Sequence, residues 1–404
     1  METIEKWVEA FNIMISRVGL RFANSKTRQC FRAYMQGLLQ PVKRKNAWQL
    51  AEALAQASPY RIQQFLYRAQ WSADEVRDDL QHYVIQQLAH PDGVLVIDET
   101  GFPKKGDHSA GVQPQYCGCL GRVANCQVGV FLVYATPNGH AFVDRDLYLP
   151  RDWFDNRARC RAAGIPDEIS FATKPQLAQQ MLPRVLGSGL PVKWLTADSV
   201  YGGDHKLAFF LERIPLSFVM AISPKDTVLL PSAGFPELTR RILADLHNHP
   251  EYTWVTLSAG SGSKGERLFD WLLLPLFDNA EVPGFKRFLL IRRSRSNPDD
   301  LTPYRCFAPS GTSLAELVQV AGTRWQVEQS FEMAKQEVGL ADYELRSFQG
   351  WYRHITLACL AHAFLAVLRS QGLDPLDELK KKEPPNTNPS SLNAFKLKRN
   401  LLSP

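Results

Sequence analysis

The clearest pattern along the chain is a short apolar run that stops at an acid. Val94, Leu95, Val96 and Ile97 lie unbroken between Pro91-Asp92-Gly93 and the breakers Gly101 and Pro103, which predicts a buried strand with Asp98 at its carboxyl end. Residues 192–197 repeat the arrangement, with Asp198 followed by a glycine-bearing turn and a helical pattern to Arg213. Between the two, QVGVFLVYAT and HAFVDRDLYL flank Pro137-Asn138-Gly139 and predict an antiparallel hairpin over 127–149. KPQLAQQMLPRVLGSG, 174–189, reads as a helix interrupted near Pro183, and LSFVMAI, 216–222, as a further strand. The succession is strand, hairpin, helix, strand, helix, strand. One strand-end Asp usually does no more than cap a turn, but α/β sheets place chemistry at the carboxyl ends of their strands, and two such acids in this order point there.

The flanks differ. Residues 1–90 contain apolar positions at helical spacing, such as Trp7, Phe11, Ile15 and Val18, and predict a separate helical domain. The core itself spans 91–222. From 223 to 321 short strand-like runs separated by Pro and Gly predict a β-rich insertion, and residues 322–370 supply closing helices. SAGSGSKGER, within the insertion, lacks the Lys-Ser/Thr of a phosphate-binding loop and reads as a hairpin tip. The tail, 371–404, is rich in Pro, Asn, Ser and Lys and is left as flexible. The fold class is therefore α/β, with a β-rich insertion and an N-terminal helical domain.

Charge sharpens one region. The chain carries a formal net charge of +6, and eight basic residues with no acid fall between Arg17 and Lys45. A one-signed run is commonly a solvated face, yet the lack of compensating acids favours phosphate contact through Arg28, Arg32, Lys43, Arg44 and Lys45. Ser58-Pro59 can start a helix carrying Arg61 and Arg68, side chains suited to the DNA backbone. Seven scattered cysteines and no secretion signal suggest a reduced, cytoplasmic protein, associated with the nucleoid when on DNA. Cys117, Cys119 and Cys126 lack the spacing of a zinc site and read as small buried thiols. The apolar run Ile355–Leu368 is too short to span a membrane and reads as a buried helix.

A third acid completes the picture. In RWQVEQSFEMAK, Arg324, Glu328, Phe331 and Lys335 fall on one helical face, although a salt-bridged surface helix looks the same and Glu332 offers a neighbouring acid. Two strand-end Asp and a helical Glu form a donor set for two Mg2+ ions, with Mn2+ able to substitute. Two ions about 4 Å apart would activate a water or 3′-hydroxyl and stabilise the leaving oxygen. None of the nine histidines is needed.

The order VIDET, TADSVYG, RWQVEQSFEMAK resembles the DDE transposases of bacterial insertion sequences, in the branch whose RNase H-like core carries a β-strand insertion before the last catalytic helix. Arg324, Glu328 and Lys335 match the last three positions of that group's Y-x-x-R-x-x-x-E-x-x-x-x-x-x-K pattern, while Ala321 stands at the tyrosine position. Tyr201 and Gly202 fit its D-x-x-Y-G element, and a turn with aromatic packing fits them equally. The likeness covers about residues 90–368. It implies that Asp98, Asp198 and Glu328 ligate the metals and that Arg324 and Lys335 contact DNA phosphates, with Lys104 and Lys105 as further candidates. The implied activity is cleavage of inverted terminal repeats and joining of their 3′-hydroxyls to target DNA, by a homodimer on paired ends. An endonuclease of the same fold without strand transfer, and a transposase-derived DNA-binding regulator, are the alternatives.

Overall fold

A computed structural model describes residues 2–373 except 232–233, 247–251, 263–264 and 278–280. Most of the tail expected to be flexible, from 374 onward, lies outside the described residues.

Five helices open the chain: α1 Glu2–Val18, α2 Ser25–Leu39, α3 Ala47–Ala53, α4 Tyr60–Tyr67 and α5 Ala73–Leu88. Asn24, Asn46 and Ser72 cap α2, α3 and α5 by accepting from the backbone N–H three residues on. Then come β1 Val94–Pro103, β2 Gln113–Cys117, β3 Arg122–Thr136, β4 Gly139–Tyr148, the short helices α6 Arg151–Phe154 and α7 Arg157–Ala162, and α8 Lys174–Gly187. Next are β5 Trp194–Ala197, α9 Ser199–Gly202, α10 His205–Arg213 and β6 Ser217–Ala221. The insertion holds β7 Thr227–Val228, β8 Glu237–Leu238, α11 Thr239–Asp245, β9 Val255–Gly262, β10 Gly265–Pro275, β11 Phe285–Arg293 and β12 Leu301–Pro309. The chain closes with α12 Leu314–Thr323, α13 Trp325–Glu337 and α14 Phe348–Ser370.

One sheet runs in the order β2-β3-β1-β5-β6-β12-β11-β10-β9, with β4 paired to β3. The block β4-β3-β1-β5-β6, three antiparallel strands followed by two parallel ones, is an RNase H-like core. Strand β12 pairs antiparallel with β6 from Phe218↔Phe307 to Ala221↔Tyr304, so the insertion prolongs the core sheet. It also carries α11, which a β-rich reading missed. Helix α8 runs through Pro183; the proline removes one backbone donor, and the buried Met181, Leu182 and Val185 hold the turn in place.

The opening helices share one hydrophobic core with the sheet, so they do not stand apart as the sequence suggested. Gln81 donates to Val143 O across 3.0 Å, joining α5 to β4. Arg353, 2% exposed on α14, donates to the carbonyls of Leu66 in α4 and of Ala69 and Trp71 just beyond it. Helix α14 is 23 residues, long and apolar enough to cross a membrane, yet buried on every side. It is the central post of the fold, as an all-round apolar helix of a large core should be.

Its buried His354 accepts from Tyr34 Oη at 2.7 Å through Nδ1 and donates from Nε2 to Gly339 O at 3.2 Å. Burial lowers its pKa to about 4, and that of His140 likewise. A base whose folded pKa is depressed favours the fold while neutral; that stability is complete above the unfolded value near 6.5 and is lost as pH falls toward 4. The urea midpoint is therefore expected to fall steeply between pH 6.5 and 4, and His354→Gln to flatten that slope.

Candidate active site

Strands β1 and β5 pair in parallel from Val94↔Trp194 to Ile97↔Ala197. Asp98 and Asp198 are the residues that immediately follow this ladder, Asp98 on β1 and Asp198 just past the end of β5, so the register itself brings the two carboxylates side by side. Asp98 does not end its strand, as the sequence suggested: β1 continues to Pro103 against β3 alone. What ends at Asp98 is the parallel ladder, where the chain of β5 turns away into α9.

Each acid is held by a local backbone donor. Asp98 Oδ1 accepts from Glu99 N at 2.8 Å, and Asp198 Oδ1 caps α9 by accepting from Val200 N at 2.9 Å. Helix α9 lies so close to β6 that a Cβ at Gly202 would sit 1.9 Å from Ala221 O, so only glycine permits this approach. Burial and the neighbouring Asp198 raise the Asp98 pKa to about 7, with Arg324 opposing. Burial, then the charge of Glu99, raises that of Asp198.

Helix α12 ends at Thr323 and α13 starts at Trp325, leaving Arg324 at the junction. Its guanidinium lies 3.8 Å from Asp98 Oδ2 and 3.5 Å from Glu328 Oε1. Glu328 thus faces the two Asp across Arg324, whereas Glu332 pairs along its own helix with Gln336 Nε2 at 3.1 Å. Among the described residues no three acidic, His or Cys side chains already form a metal cage, and the Arg324 cation sits between Asp98 and Glu328.

A second carboxylate stands beside Asp98 that the sequence reading passed over. Glu99 accepts from Lys174 Nζ at 2.6 Å and from Tyr201 Oη at 2.6 Å, tying β1 to α8 and α9. Tyr201 is fully buried, so its place in the D-x-x-Y-G element is to brace the helix that Asp198 caps. An acid adjacent to the first Asp was visible in the sequence; Lys174, far away in the chain, was not. On the far side, Lys335 donates to Thr100 Oγ1 at 2.7 Å, within reach of Cys117 and Cys119, whose sulfurs are 3.3 Å apart. Cys117 and Cys126 are buried as expected, while Cys119 is exposed.

The basic candidates divide. Arg28, Arg32, Lys43, Arg44, Arg61, Arg68 and Lys105 are exposed. Arg28 also donates to Phe22 O at 2.8 Å, and Arg32 to Asn12 Oδ1 at 2.7 Å. Lys45 is 3% exposed and donates to the carbonyls of Leu38 and Glu337, capping the ends of α2 and α13. Lys104 is turned inward, 3.0 Å from Tyr343 O and 3.4 Å above the Tyr343 ring. Both lysines serve packing in this geometry and present no ammonium to a ligand. Burial lowers the Lys104 pKa to about 7, so its charge burdens the fold below pH 7 and is relieved as pH rises toward 10.5. Lys104→Met is accordingly expected to raise the melting temperature at pH 6, by less at pH 9, and to leave DNA affinity unchanged.

The arrangement is two half-buried acids in register and a third across an arginine. Residues 18–267 match the family model described as "DDE superfamily endonuclease", a span that includes Asp98 and Asp198 and ends before Glu328. The chain is 25% identical over 334 residues, 81% of its length and 79% of the relative's, to a "Probable transposase for insertion sequence element IS701" of Microchaete diplosiphon. Over more than half its length, and with an RNase H-like sheet beneath the acids, this chain belongs to the DDE superfamily endonucleases.

Proposed function

We propose that the protein is a transposase that binds inverted terminal repeats, cleaves them by Mg2+-dependent hydrolysis and joins the freed 3′-hydroxyls to target DNA, acting as a dimer on two paired ends. The observation that carries this reading is the register of β1 and β5, which leaves Asp98 and Asp198 adjacent and both resisting ionisation. Two half-buried carboxylates that repel one another are relieved by a hard divalent cation, and their oxygens are the donors such a cation prefers. Asp98, Asp198 and Glu328 would hold it. When bound, divalent ions supply a water or hydroxyl activated for attack and charge to offset that of the leaving oxygen.

The protein's own side chains do the remainder. Arg324 is the counter-charge between Asp98 and Glu328, and in the reading offered here it turns to a DNA phosphate when the acids take up cations. Glu99, Lys174 and Tyr201 keep α9 pressed to the sheet and so fix Asp198. Arg28, Arg32, Lys43, Arg44, Arg61 and Arg68 supply exposed charge for backbone phosphates, as does Lys105.

A joining assay tests the proposal. Purified protein, Mg2+, precut terminal-repeat duplexes and a target plasmid should give plasmid carrying covalently attached ends. Cleavage of uncut ends with no joined product would leave an endonuclease in its place, and binding with neither reaction would leave a regulator.

A further inference from the structure

Past Asp98, strand β1 packs against a thiol. A Cβ at Gly101 would sit 2.5 Å from Cys117 Sγ, so only glycine lets the sulfur lie this close to the strand. Cys117 ends β2 and is fully buried in a small cluster with Cys126 and Val128 of β3. Its sulfur is confined. The chain then makes a single 3-10 turn, Gly118–Leu120, which carries the exposed Cys119. Cys119 Sγ donates to Gly101 O at 3.4 Å and stands 3.3 Å from Cys117 Sγ.

A disulfide holds its sulfurs at about 2.05 Å, so this pair is separated from bonding distance by little more than about an ångström. Gly118, between the two cysteines, has open space where a side chain would lie, and Gly121 closes the turn at φ +62°. Glycine at both places gives the backbone the freedom that a small ring needs. Cys126 is fixed in the ladder opposite Gln113 and is buried, which leaves Cys119 as the one thiol of the three open to a solvent-borne oxidant. Burial, then the contact with Cys117, raises the Cys119 thiol, and the Lys335 ammonium opposes them by favouring the thiolate. Lys335 also bonds Thr100, so the turn and β1 meet at one side chain.

We propose that Cys117 and Cys119 form a redox-active dithiol that closes to a disulfide and, when closed, slows cleavage at the neighbouring acids. The oxidant is a small-molecule disulfide. The Cys119 thiolate attacks one of its sulfurs and expels a thiolate, leaving a mixed disulfide on Cys119. The Cys117 thiolate then attacks Cys119 Sγ, forms the Cys117–Cys119 bond and expels the second thiolate. The protein gives up two protons and two electrons, and the oxidant leaves as two thiols. An exposed disulfide is open to reductant as well, so the step reverses. Closure draws Cys119 Sγ off Gly101 O and away from Lys335, and so acts on the strand that carries Asp98. The dithiol stands on its own geometry; its effect on cleavage rests on the function proposed above.

The test holds the full-length protein in reduced or oxidised glutathione, then alkylates it and digests it with trypsin. Residues 106–122 are released as one peptide, which holds these two cysteines and no other. After oxidation that peptide should carry neither an alkyl group nor glutathione and should be lighter by the two lost hydrogens; dithiothreitol should restore both thiols. End cleavage should slow about fivefold or more on oxidation, as ordinary coupling between sites does, and recover with the thiols. Cys119→Ser should cleave at one rate in both buffers. Thiols that stay free, or that stop at a glutathione adduct, overturn the dithiol whatever the cleavage result. A closed disulfide with cleavage unchanged, or a slowing shared by Cys119→Ser, overturns its control of the site and leaves the proposed function standing. A reduced protein that cuts no DNA overturns that function, and the peptide mass still decides the disulfide.

Discussion

Asp98→Asn is expected to abolish DNA cleavage, by at least about a thousandfold, while leaving the protein as stable as wild type or more so. The rate loss follows because the substitution removes an anionic oxygen donor from the proposed metal site, and a thousandfold corresponds to about 4 kcal/mol of transition-state stabilisation. The stability gain follows from burial. Asp98 is pushed up to about 7 by desolvation and by Asp198, so its charge opposes folding at neutral pH. Asparagine keeps an oxygen for the Glu99 N–H, now 2.8 Å away, and brings no charge. The checks are a gel assay of end cleavage with Mg2+ and a urea melt at pH 8. A variant that still cuts would remove Asp98 from the catalytic set; one that neither cuts nor folds would make it a structural acid.

Asp144→Ala should behave in the opposite way, costing about 3–5 kcal/mol of stability as one member of a buried charge cluster is removed. Asp144 is 1% exposed on β4 and faces three arginines: Arg184 at 3.0 Å, Arg145 at 3.5 Å and Arg77 at 4.0 Å. Arg145 is itself 1% exposed and bonded to Thr356 Oγ1 at 2.7 Å on α14, and it reaches Asp74 at 3.0 Å on α5. The cluster therefore locks β4, α5, α8 and α14 together. Without Asp144, the buried Arg145 is left with the exposed Asp74 and with Asp146 as counter-charges, and low-dielectric surroundings make that expensive. The drop in urea midpoint measures it, and Asp144→Asn, which retains the bond to Arg145 N, should lose less. A midpoint unchanged by Asp144→Ala would mean that the cluster relaxes freely.

These two aspartates show where the sequence stops informing. Asp98 and Asp144 both lie on core strands, each after an apolar residue and before a charged one, and nothing local says that one faces a site and the other a buried arginine. Lys45 and Lys104 make the same point for cations. Each belongs to a basic stretch that predicts phosphate contact, yet each ammonium is folded onto carbonyl oxygens. Position along the chain counts charges; it does not orient them.

What the sequence by itself determined is the alternation of elements and where along it three candidate acids fall. Apolar runs ended by Asp98 and Asp198, a Pro-Asn-Gly hairpin and a helical Arg324–Glu328–Lys335 face are local patterns, and local patterns follow from backbone sterics and periodicity. Only the tertiary structure decided that the parallel ladder of β1 and β5 stops at Ile97↔Ala197, which sets the two acids side by side. It also decided that Arg324 stands between Asp98 and Glu328, and that the insertion brings Arg267 to the same junction. Those facts join residues more than fifty positions apart, and such contacts are fixed by register and packing, which no short stretch of chain encodes.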